Sequence, residues 1–303
     1  MKLIKDDADF TEGAAYIDGG FVPVAEARIP ILDWGFLRSD ATYDVAHVWQ
    51  GSFFRLDDHL DRFEHGMRRL RMSIPYGREE IGEVLFECVR LSGLRDAYVE
   101  MVCTRGVPPA GSRDPRECAN RFYAFAVPFV WIADPAKQDE GLHVTVSQVR
   151  RIPSESVDPT IKNYHWLDLV TGLYEAYDRG GETVILVDHE DNVIEGPGFN
   201  IFLVKNGVVS TPSQGVLEGI SRKTAIELAA KFGIPLELRS VPAEELRRAD
   251  EAFITSTAGG IMPVTKVDGY VVGDGEPGPV TSRLREGYWW LHQDPRYTLP
   301  ARY

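Results

Sequence analysis

The run PFVWIADP, from Pro128 to Pro135, divides this chain into an N-terminal and a C-terminal part. It is bounded by prolines and has no helical periodicity, which is typical of a connection between domains. A chain of 303 residues is too long for one small core, and two domains of roughly 100–200 residues each are the natural expectation. We therefore predict a small N-terminal domain over 1–128, a linker over 129–135 and a large C-terminal domain over 136–303.

Strand and helix patterns alternate on both sides of this run. Before it, an Asp-Gly-Gly turn at residues 18–20 separates two apolar runs, which is a strong signal for a hairpin. A helix that starts near Asp57 repeats apolar residues on one face: Leu60, Phe63, Met67 and Leu70. After it, Asn206-Gly207 marks another hairpin, and a helix over 221–232 stops at Gly233. These patterns predict two mixed α/β domains.

Composition and charge indicate which cellular compartment and which classes of partner to expect. The formal charge of −13 argues against a nucleic-acid partner, because phosphate contacts need clustered Lys and Arg. No stretch approaches the roughly 20 apolar residues of a membrane helix, and Met1 to Phe10, with three aspartates, does not resemble a secretory signal. We therefore expect a cytoplasmic protein with no membrane or nucleic-acid partner.

Cysteine and histidine spacing predicts neither a disulfide nor a metal site. Cys88, Cys103 and Cys118 lie 15 residues apart, with no Cys-x-x-Cys pair and no histidine cluster nearby. An odd number of cysteines, with no spacing typical of disulfide pairs, indicates thiols in a reducing compartment. The seven histidines are scattered, so we expect no metal.

Lys162 is the first candidate for chemistry. It stands among Ile161, Tyr164 and Trp166, in a locally uncharged stretch. A lysine becomes a Schiff-base nucleophile when burial makes its free amine available. On the local sequence alone, a surface lysine at a strand end is the commoner case.

Other segments could complete a cofactor site. Glu195, in the glycine-rich EGPGFN, could face a cofactor closely, and in pyridoxal chemistry an acid beside the ring nitrogen keeps it protonated. Ser221 opens a helix and Thr257 follows a strand, so each could offer a hydroxyl and free amides to a phosphate. Arg62 could add the positive charge. A solvated hairpin glutamate, helix caps and a solvated arginine remain the alternatives.

Taken together, these segments resemble the fold-type IV (class IV) pyridoxal-phosphate-dependent aminotransferases, and most closely the (R)-selective amine transaminases. The resemblance covers nearly the whole chain. It rests on an ordered set of motifs: the arginine in DDHLDRF, the lysine in PTIKN, EGPGFN, GVLEGISRKT and TSTAGGIMP. The amine-transaminase likeness adds SDATYDVAHVW, YVEMVCTRG and DPTIKNYHWLDLV.

The resemblance implies a role for each of these residues. Lys162 would form the internal aldimine with pyridoxal 5'-phosphate and shuttle a proton, and Glu195 would pair with the pyridine nitrogen. The phosphate would be held by Arg62, Ser221, Thr257 and the amide of Ile220, with Leu217 packed on the ring. The residues implied in the substrate pockets are Tyr43, Val45, Tyr98, Glu100, Trp166 and Ala258. The implied architecture is a small α/β domain and a larger β-rich α/β domain, with sites at a homodimer interface.

Two positions depart from the family pattern. Arg38 stands where some members have histidine, and Gly111 stands where a loop often carries an arginine that receives the acceptor's carboxylate. Because a desolvated carboxylate needs a charged partner, we expect Arg38, Arg113 or Arg116 to bind it.

The expected reaction is transamination from a primary amine, an (R)-configured arylalkylamine, to a keto acid such as pyruvate. The alternatives that keep the fold are a D-amino-acid or branched-chain aminotransferase and, less favoured, an aminodeoxychorismate lyase that releases pyruvate. A non-catalytic binding protein is a further class, which the retained Lys162 and Glu195 disfavour.

Overall fold

The computed structural model describes residues 9–303, which form two compact units. The first contains residues up to Val130 together with Ile161–Tyr164 and Asp294–Tyr303. The second contains Trp131–Thr160 and His165–Gln293. Most of the N-terminal segment on which the signal-peptide expectation rests, residues 1–8, lies outside the described residues.

The first unit is built on a seven-stranded sheet in which every neighbouring pair is antiparallel. With strands numbered along the whole chain, its members are β1 (Ala14–Ile17), β2 (Gly20–Pro23), β3 (Ala41–Trp49), β4 (Ser52–Phe54), β5 (Ala97–Val107), β6 (Ala119–Pro128) and β16 (Thr298–Pro300). Their order is β16-β4-β3-β5-β6-β1-β2. The β1–β2 hairpin confirms the turn predicted at 18–20.

Three helices accompany this sheet: α1 (Trp34–Arg38), α2 (Leu56–Arg69) and α3 (Arg78–Ser92). Leu60, Phe63 and Met67 of α2 are buried in the core of the unit, as the one-sided apolar pattern predicts. Helix α2 has two aspartates in its first turn and two arginines in its last, a charge order that the helix dipole favours.

The second unit contains a nine-stranded sheet of mixed direction. Its strands are β7 (Leu142–Arg150), β8 (Thr183–Val187), β9 (Glu195–Gly196), β10 (Phe199–Lys205), β11 (Val208–Pro212), β12 (Leu236–Arg239), β13 (Glu251–Ser256), β14 (Gly260–Val267) and β15 (Tyr270–Val271). The main path is β12-β11-β10-β13-β14-β7-β8, with β9 on β10 and β15 on β14. The pairs β11–β12, β14–β7 and β7–β8 are parallel.

Helices of the second unit are α4 (Pro135–Glu140), α5 (Leu167–Asp178), α6 (Ile220–Phe232), α7 (Ala243–Arg247) and α8 (Pro279–Leu291). Helix α6 ends at Gly233, whose φ of 67° is the left-handed conformation that glycine adopts without strain. The β10–β11 turn confirms the hairpin predicted at Asn206-Gly207. The mixed α/β fold predicted from the sequence is thereby confirmed.

The division of the chain needs two corrections to the contiguous ranges 1–128, 129–135 and 136–303. The units separate between Val130 and Trp131, inside the predicted linker, and helix α4 already begins at Pro135. Two later segments, Ile161–Tyr164 and Asp294–Tyr303, belong to the first unit. The reason is backbone pairing with strands distant in sequence: β16 pairs with β4, and the Lys162 carbonyl accepts from the Tyr43 amide.

Two predictions from composition can be compared with residues 9–303. None of the helices in this range combines the length and apolarity needed to cross a bilayer. Cys88, Cys103 and Cys118 are unpaired thiols; the first two are buried, whereas Cys118 is half-buried.

Candidate functional site

Lys162 is held by its backbone against the first half of β3. Its carbonyl accepts hydrogen bonds from the Tyr43 amide at 3.1 Å and from the Thr42 hydroxyl at 2.9 Å. This edge of β3 is available because β4 pairs only with the last two residues of β3. The side chain is half-buried, and its Nζ lies 4.4 Å from the centre of the Tyr43 ring. The lysine is therefore positioned by the sheet and faces an aromatic side chain.

An aromatic cluster surrounds this lysine within the first unit. Tyr43 stacks on Tyr164 with ring centres 4.2 Å apart and planes 5° from parallel. Val45 is buried in the same cluster, and Tyr98 packs against it. The predicted pocket residues Tyr43, Val45 and Tyr98 are thus brought together, and Tyr164 is an addition that the sequence did not single out.

Glu100 adds an acidic group to this cluster. It is 8% exposed and accepts hydrogen bonds from the hydroxyls of Tyr164 and Tyr98. Burial raises the pKa of Glu100 above its ordinary value, because removing the charged form from water outweighs the hydrogen bonds and the charge of Lys162. The group that lies beside the lysine is thus a buried carboxyl enclosed by tyrosines.

Arg62 on α2 is fixed by Asp44, a partner that the sequence reasoning missed. Its Nε and Nη2 donate to the two Asp44 oxygens at 2.7 and 2.9 Å. His59 Nδ1 lies 2.8 Å from the same carboxylate. Asp44 is fully buried, and burial alone would raise its pKa. The Arg62 guanidinium and His59 outweigh burial and hold the pKa of Asp44 well below its usual range.

Glu195 lies on β9 of the second unit and is 7% exposed. One oxygen accepts from Arg151 Nε at 3.2 Å, and the other accepts from the Leu217 amide at 3.0 Å. Arg151 in turn donates to Asp168 at 2.7 Å. The glutamate is therefore a held carboxylate and not the solvated hairpin residue that the local sequence left open. Arg151 was missed because it precedes Glu195 by 44 residues and lies in no recognisable motif.

The predicted phosphate-binding residues of the second unit occupy the start of α6 and the turn after β13. Ile220 and Ser221 are the first two residues of α6, where backbone amides lack partners within the helix. Thr257 follows β13, and the adjacent Ala258 amide donates to the Ser256 hydroxyl. Leu217 is held by its carbonyl, which accepts from the Asn200 amide group at 2.9 Å. Hydroxyls and helix-start amides form a donor set suited to an anion.

Trp166 and Ala258, the remaining predicted pocket residues, also belong to the second unit. Trp166 directly precedes α5, and its ring lies 3.8 Å from the position that a Cβ on Gly198 would take. It therefore packs against the glycine-rich segment that follows Glu195. Ala258 is buried, and its carbonyl accepts from the Ile132 amide.

The three candidate arginines differ in what they contact. Arg116 is 86% exposed and binds Asp114 through Nε and Nη2. Arg38 lies over the Trp34 ring, 3.4 Å from its centre. Within residues 9–303, the guanidinium of Arg113 makes no hydrogen bond or ion pair, and Arg113 is exposed. Arg113 lies in the loop between β5, which ends at Val107, and β6, which begins at Ala119.

No metal centre accompanies these groups in the part of the chain that the structure describes. No three His, Cys, Asp or Glu side chains among residues 9–303 lie close enough to hold a metal ion.

Comparison with known proteins identifies relatives over most of the chain. The family model for amino-transferase class IV matches residues 41–267. A branched-chain-amino-acid aminotransferase of Pseudomonas aeruginosa is 32% identical, over 92% of this chain and 93% of that protein. A D-alanine aminotransferase of Staphylococcus haemolyticus is 28% identical, over 90% of this chain and 95% of that protein. The crystal structure of the branched-chain amino acid aminotransferase from Thermobaculum terrenum, in its PLP-form, has a TM-score of 0.87 and 26% identity, covering 97% of this chain and all of that one.

Proposed function

Because this chain belongs to the class IV aminotransferases, which use pyridoxal phosphate, we propose that it moves an amino group from an (R)-configured primary amine with an apolar substituent to a keto acid such as pyruvate. The feature that carries the choice of donor is the surroundings of Lys162. They include the Tyr43 ring, the aromatic cluster to which Tyr43 and Val45 belong, and the buried carboxyl of Glu100.

The residues present fit the cofactor by the chemistry of their donor groups. Lys162 supplies the amine that would bind it covalently, and Glu195, held by Arg151, supplies the carboxylate for the pyridine nitrogen. The phosphate would be held by the Ser221 and Thr257 hydroxyls, the Ile220 amide and Arg62, with Leu217 against the ring. When bound, pyridoxal phosphate supplies an electron sink that stabilises negative charge at the substrate carbon.

This chain's own groups would then carry out the proton transfer. With the cofactor bound, Lys162 Nζ would act as the general base that takes the proton from the substrate carbon. Its backbone hydrogen bonds to Thr42 and Tyr43 keep the side chain in place during this step. Asp44 fixes the guanidinium of Arg62 in one orientation, so that this cation is pre-organised for the phosphate.

The donor preference follows from the charge around Lys162. An amino-acid donor brings a carboxylate, which needs a cationic or hydrogen-bond-donating partner when water is removed. The acidic Glu100 offers no positive charge, and its two tyrosine partners already donate to it. Tyr43 and Val45 offer apolar surface instead, which suits an aryl or alkyl substituent. This supports an amine with an apolar substituent as the donor, whereas the carboxylate of the keto-acid acceptor needs a cation outside these residues.

The competing proposal is a branched-chain or D-amino-acid aminotransferase. The names of the relatives favour it, because those proteins are described as branched-chain and D-alanine aminotransferases. Under that proposal, an arginine such as Arg38 would receive the donor's carboxylate.

A donor screen with pyruvate as acceptor distinguishes these proposals. We expect (R)-1-phenylethylamine to be used at least about tenfold more efficiently than its (S) enantiomer, D-alanine or L-leucine, in line with the discrimination that pocket contacts provide. The measurement is kcat/KM for each donor, with the Lys162→Ala variant as the blank. Faster turnover of L-leucine or D-alanine would reverse the assignment, and pyruvate release from aminodeoxychorismate without any acceptor would indicate a lyase.

The acceptor's carboxylate should be bound by Arg113 or Arg38. Arg113 makes no competing ion pair within the described residues, whereas Arg116 is already paired with Asp114. Replacing the binding arginine with alanine should raise the KM for pyruvate about tenfold or more, because a charged hydrogen bond contributes about 1.5–3 kcal/mol. Arg116→Ala is the matched control. An unchanged KM in both Arg113→Ala and Arg38→Ala would show that another group binds pyruvate.

We also propose that the enzyme acts as a homodimer in the cytoplasm. The segment that includes α1 exposes large apolar side chains, which soluble chains normally cover. Its exposed members are Ile29, Ile31, Leu32, Phe36 and Leu37. A second copy of the chain is the partner we expect there, and unpaired cysteines suit a reducing compartment.

A further inference from the structure

Tyr288 on α8 joins the two segments assigned to the cofactor phosphate. Its side chain is fully buried, and its hydroxyl lies 3.1 Å from the hydroxyl of Ser221, itself 4% exposed. A tyrosine buried to this degree needs a hydrogen-bond partner for its hydroxyl, since leaving it unsatisfied is costly. The contact spans 67 residues of sequence and joins α8 to the start of α6.

The ring of Tyr288 also lies against the second phosphate segment. A Cβ built on Gly260 would come within 2.7 Å of the Tyr288 ring, so only glycine fits at this contact. Gly260 has a φ of 74° and is the first residue of β14, directly after the turn over 257–259. The Tyr288 side chain therefore contacts the residue that supplies one hydroxyl and the glycine that follows the turn with the other.

We infer that Tyr288 is a positioning residue that orients the Ser221 hydroxyl toward the phosphate, an inference that rests on the phosphate role proposed for Ser221. A phosphate dianion only accepts hydrogen bonds, so the single Ser221 hydrogen must point to it. The Ser221 oxygen is then left to accept, and the Tyr288 hydroxyl becomes its donor. The resulting chain runs from Tyr288 to Ser221 to phosphate, and each bond polarises the next.

The test is the affinity of the cofactor-free enzyme for pyridoxal phosphate, measured by quenching of tryptophan fluorescence. Tyr288→Phe keeps the ring against Gly260 and removes only the hydroxyl. We expect its Kd to rise about three- to tenfold, the effect of one hydrogen bond. Because the hydroxyl acts through Ser221, Tyr288→Phe should have no further effect in a Ser221→Ala background. Pyridoxal, which lacks the phosphate, should bind both enzymes equally.

Tyr16→Phe is the matched control. Tyr16 is also buried, and its hydroxyl lies 3.1 Å from that of Tyr76 in the core of the first unit. This variant should lose stability without a change in the cofactor Kd. Ser221→Thr, which retains a hydroxyl, should respond to Tyr288→Phe as the wild-type enzyme does.

The outcomes separate this inference from the function on which it rests. If Ser221→Ala leaves the Kd for pyridoxal phosphate unchanged, the phosphate role of Ser221 is wrong and the inference is lost with it. If Ser221→Ala weakens binding but Tyr288→Phe does not, only the role of Tyr288 is wrong. A weakening that persists in the Ser221→Ala background, or that affects pyridoxal equally, would assign Tyr288 a merely structural role.

Discussion

Replacing Lys162 with alanine is expected to lower kcat by at least about a thousand-fold, because in the proposed mechanism this side chain provides both the covalent attachment and the proton transfer. The fold should survive the change. The hydrogen bonds that hold this segment to β3 use the backbone carbonyl of Lys162, which alanine retains. The measurement is steady-state amine transfer to pyruvate at saturating substrates, with circular dichroism to confirm folding.

Lys205→Ala is the control for the loss of a lysine. Lys205 is half-exposed and binds Asp250 at 2.6 Å, so its removal should leave turnover unchanged. A Lys162→Ala enzyme that folds and retains more than about a tenth of the wild-type kcat would exclude this lysine from the chemistry.

Asp44→Asn is expected to lower the free energy of unfolding by about 3–5 kcal/mol, because it removes the fully buried negative charge that forms an ion pair with Arg62. The amide keeps the shape of the carboxylate, so the loss would be electrostatic and not one of packing. The measurement is urea unfolding of the cofactor-free enzyme, so that the cofactor phosphate does not replace the lost charge. Asp57→Asn is the matched control, since the Asp57 side chain is 89% exposed beside Arg78 and solvent screens that pair.

The pH dependence of this effect has a defined sign. The pKa of Asp44 in the folded protein is below the unfolded value of about 3.9. The stabilisation by Asp44 is therefore fully present above that pH and is lost as the pH falls toward the folded pKa. The difference between wild type and Asp44→Asn should be constant near neutral pH and shrink below about pH 4. A difference that grows on acidification would contradict the assignment of Asp44 as the ionised partner.

Local signals were sufficient for much of the fold. The hairpin at 18–20 and the buried face of α2 depend on residues within a few positions of one another, and both were predicted. The unit boundaries were not fully predicted, because β16 pairs with β4, a strand more than 240 residues earlier. Such long-range pairing has no local sequence signal.

In the candidate site, too, the sequence indicated the residues that lie in local motifs and missed those that reach the site through packing. Lys162 is indistinguishable from a surface lysine by its neighbours, and its role was indicated only by the ordered motifs around it. The residues that hold the site groups were missed: Arg151 for Glu195, Asp44 for Arg62, and Tyr288 for Ser221. Each is brought to its partner by sheet or helix packing, so its identity carries no spacing signal along the chain.

The most direct test of the central proposal is to locate the covalent link to the cofactor. The holoenzyme is reduced with sodium borohydride, digested, and its peptides are analysed by mass spectrometry. The proposed mechanism predicts a phosphopyridoxyl group on the peptide that contains Lys162 and on no other lysine. The same group on a different lysine, or bound cofactor with no modified peptide, would contradict it.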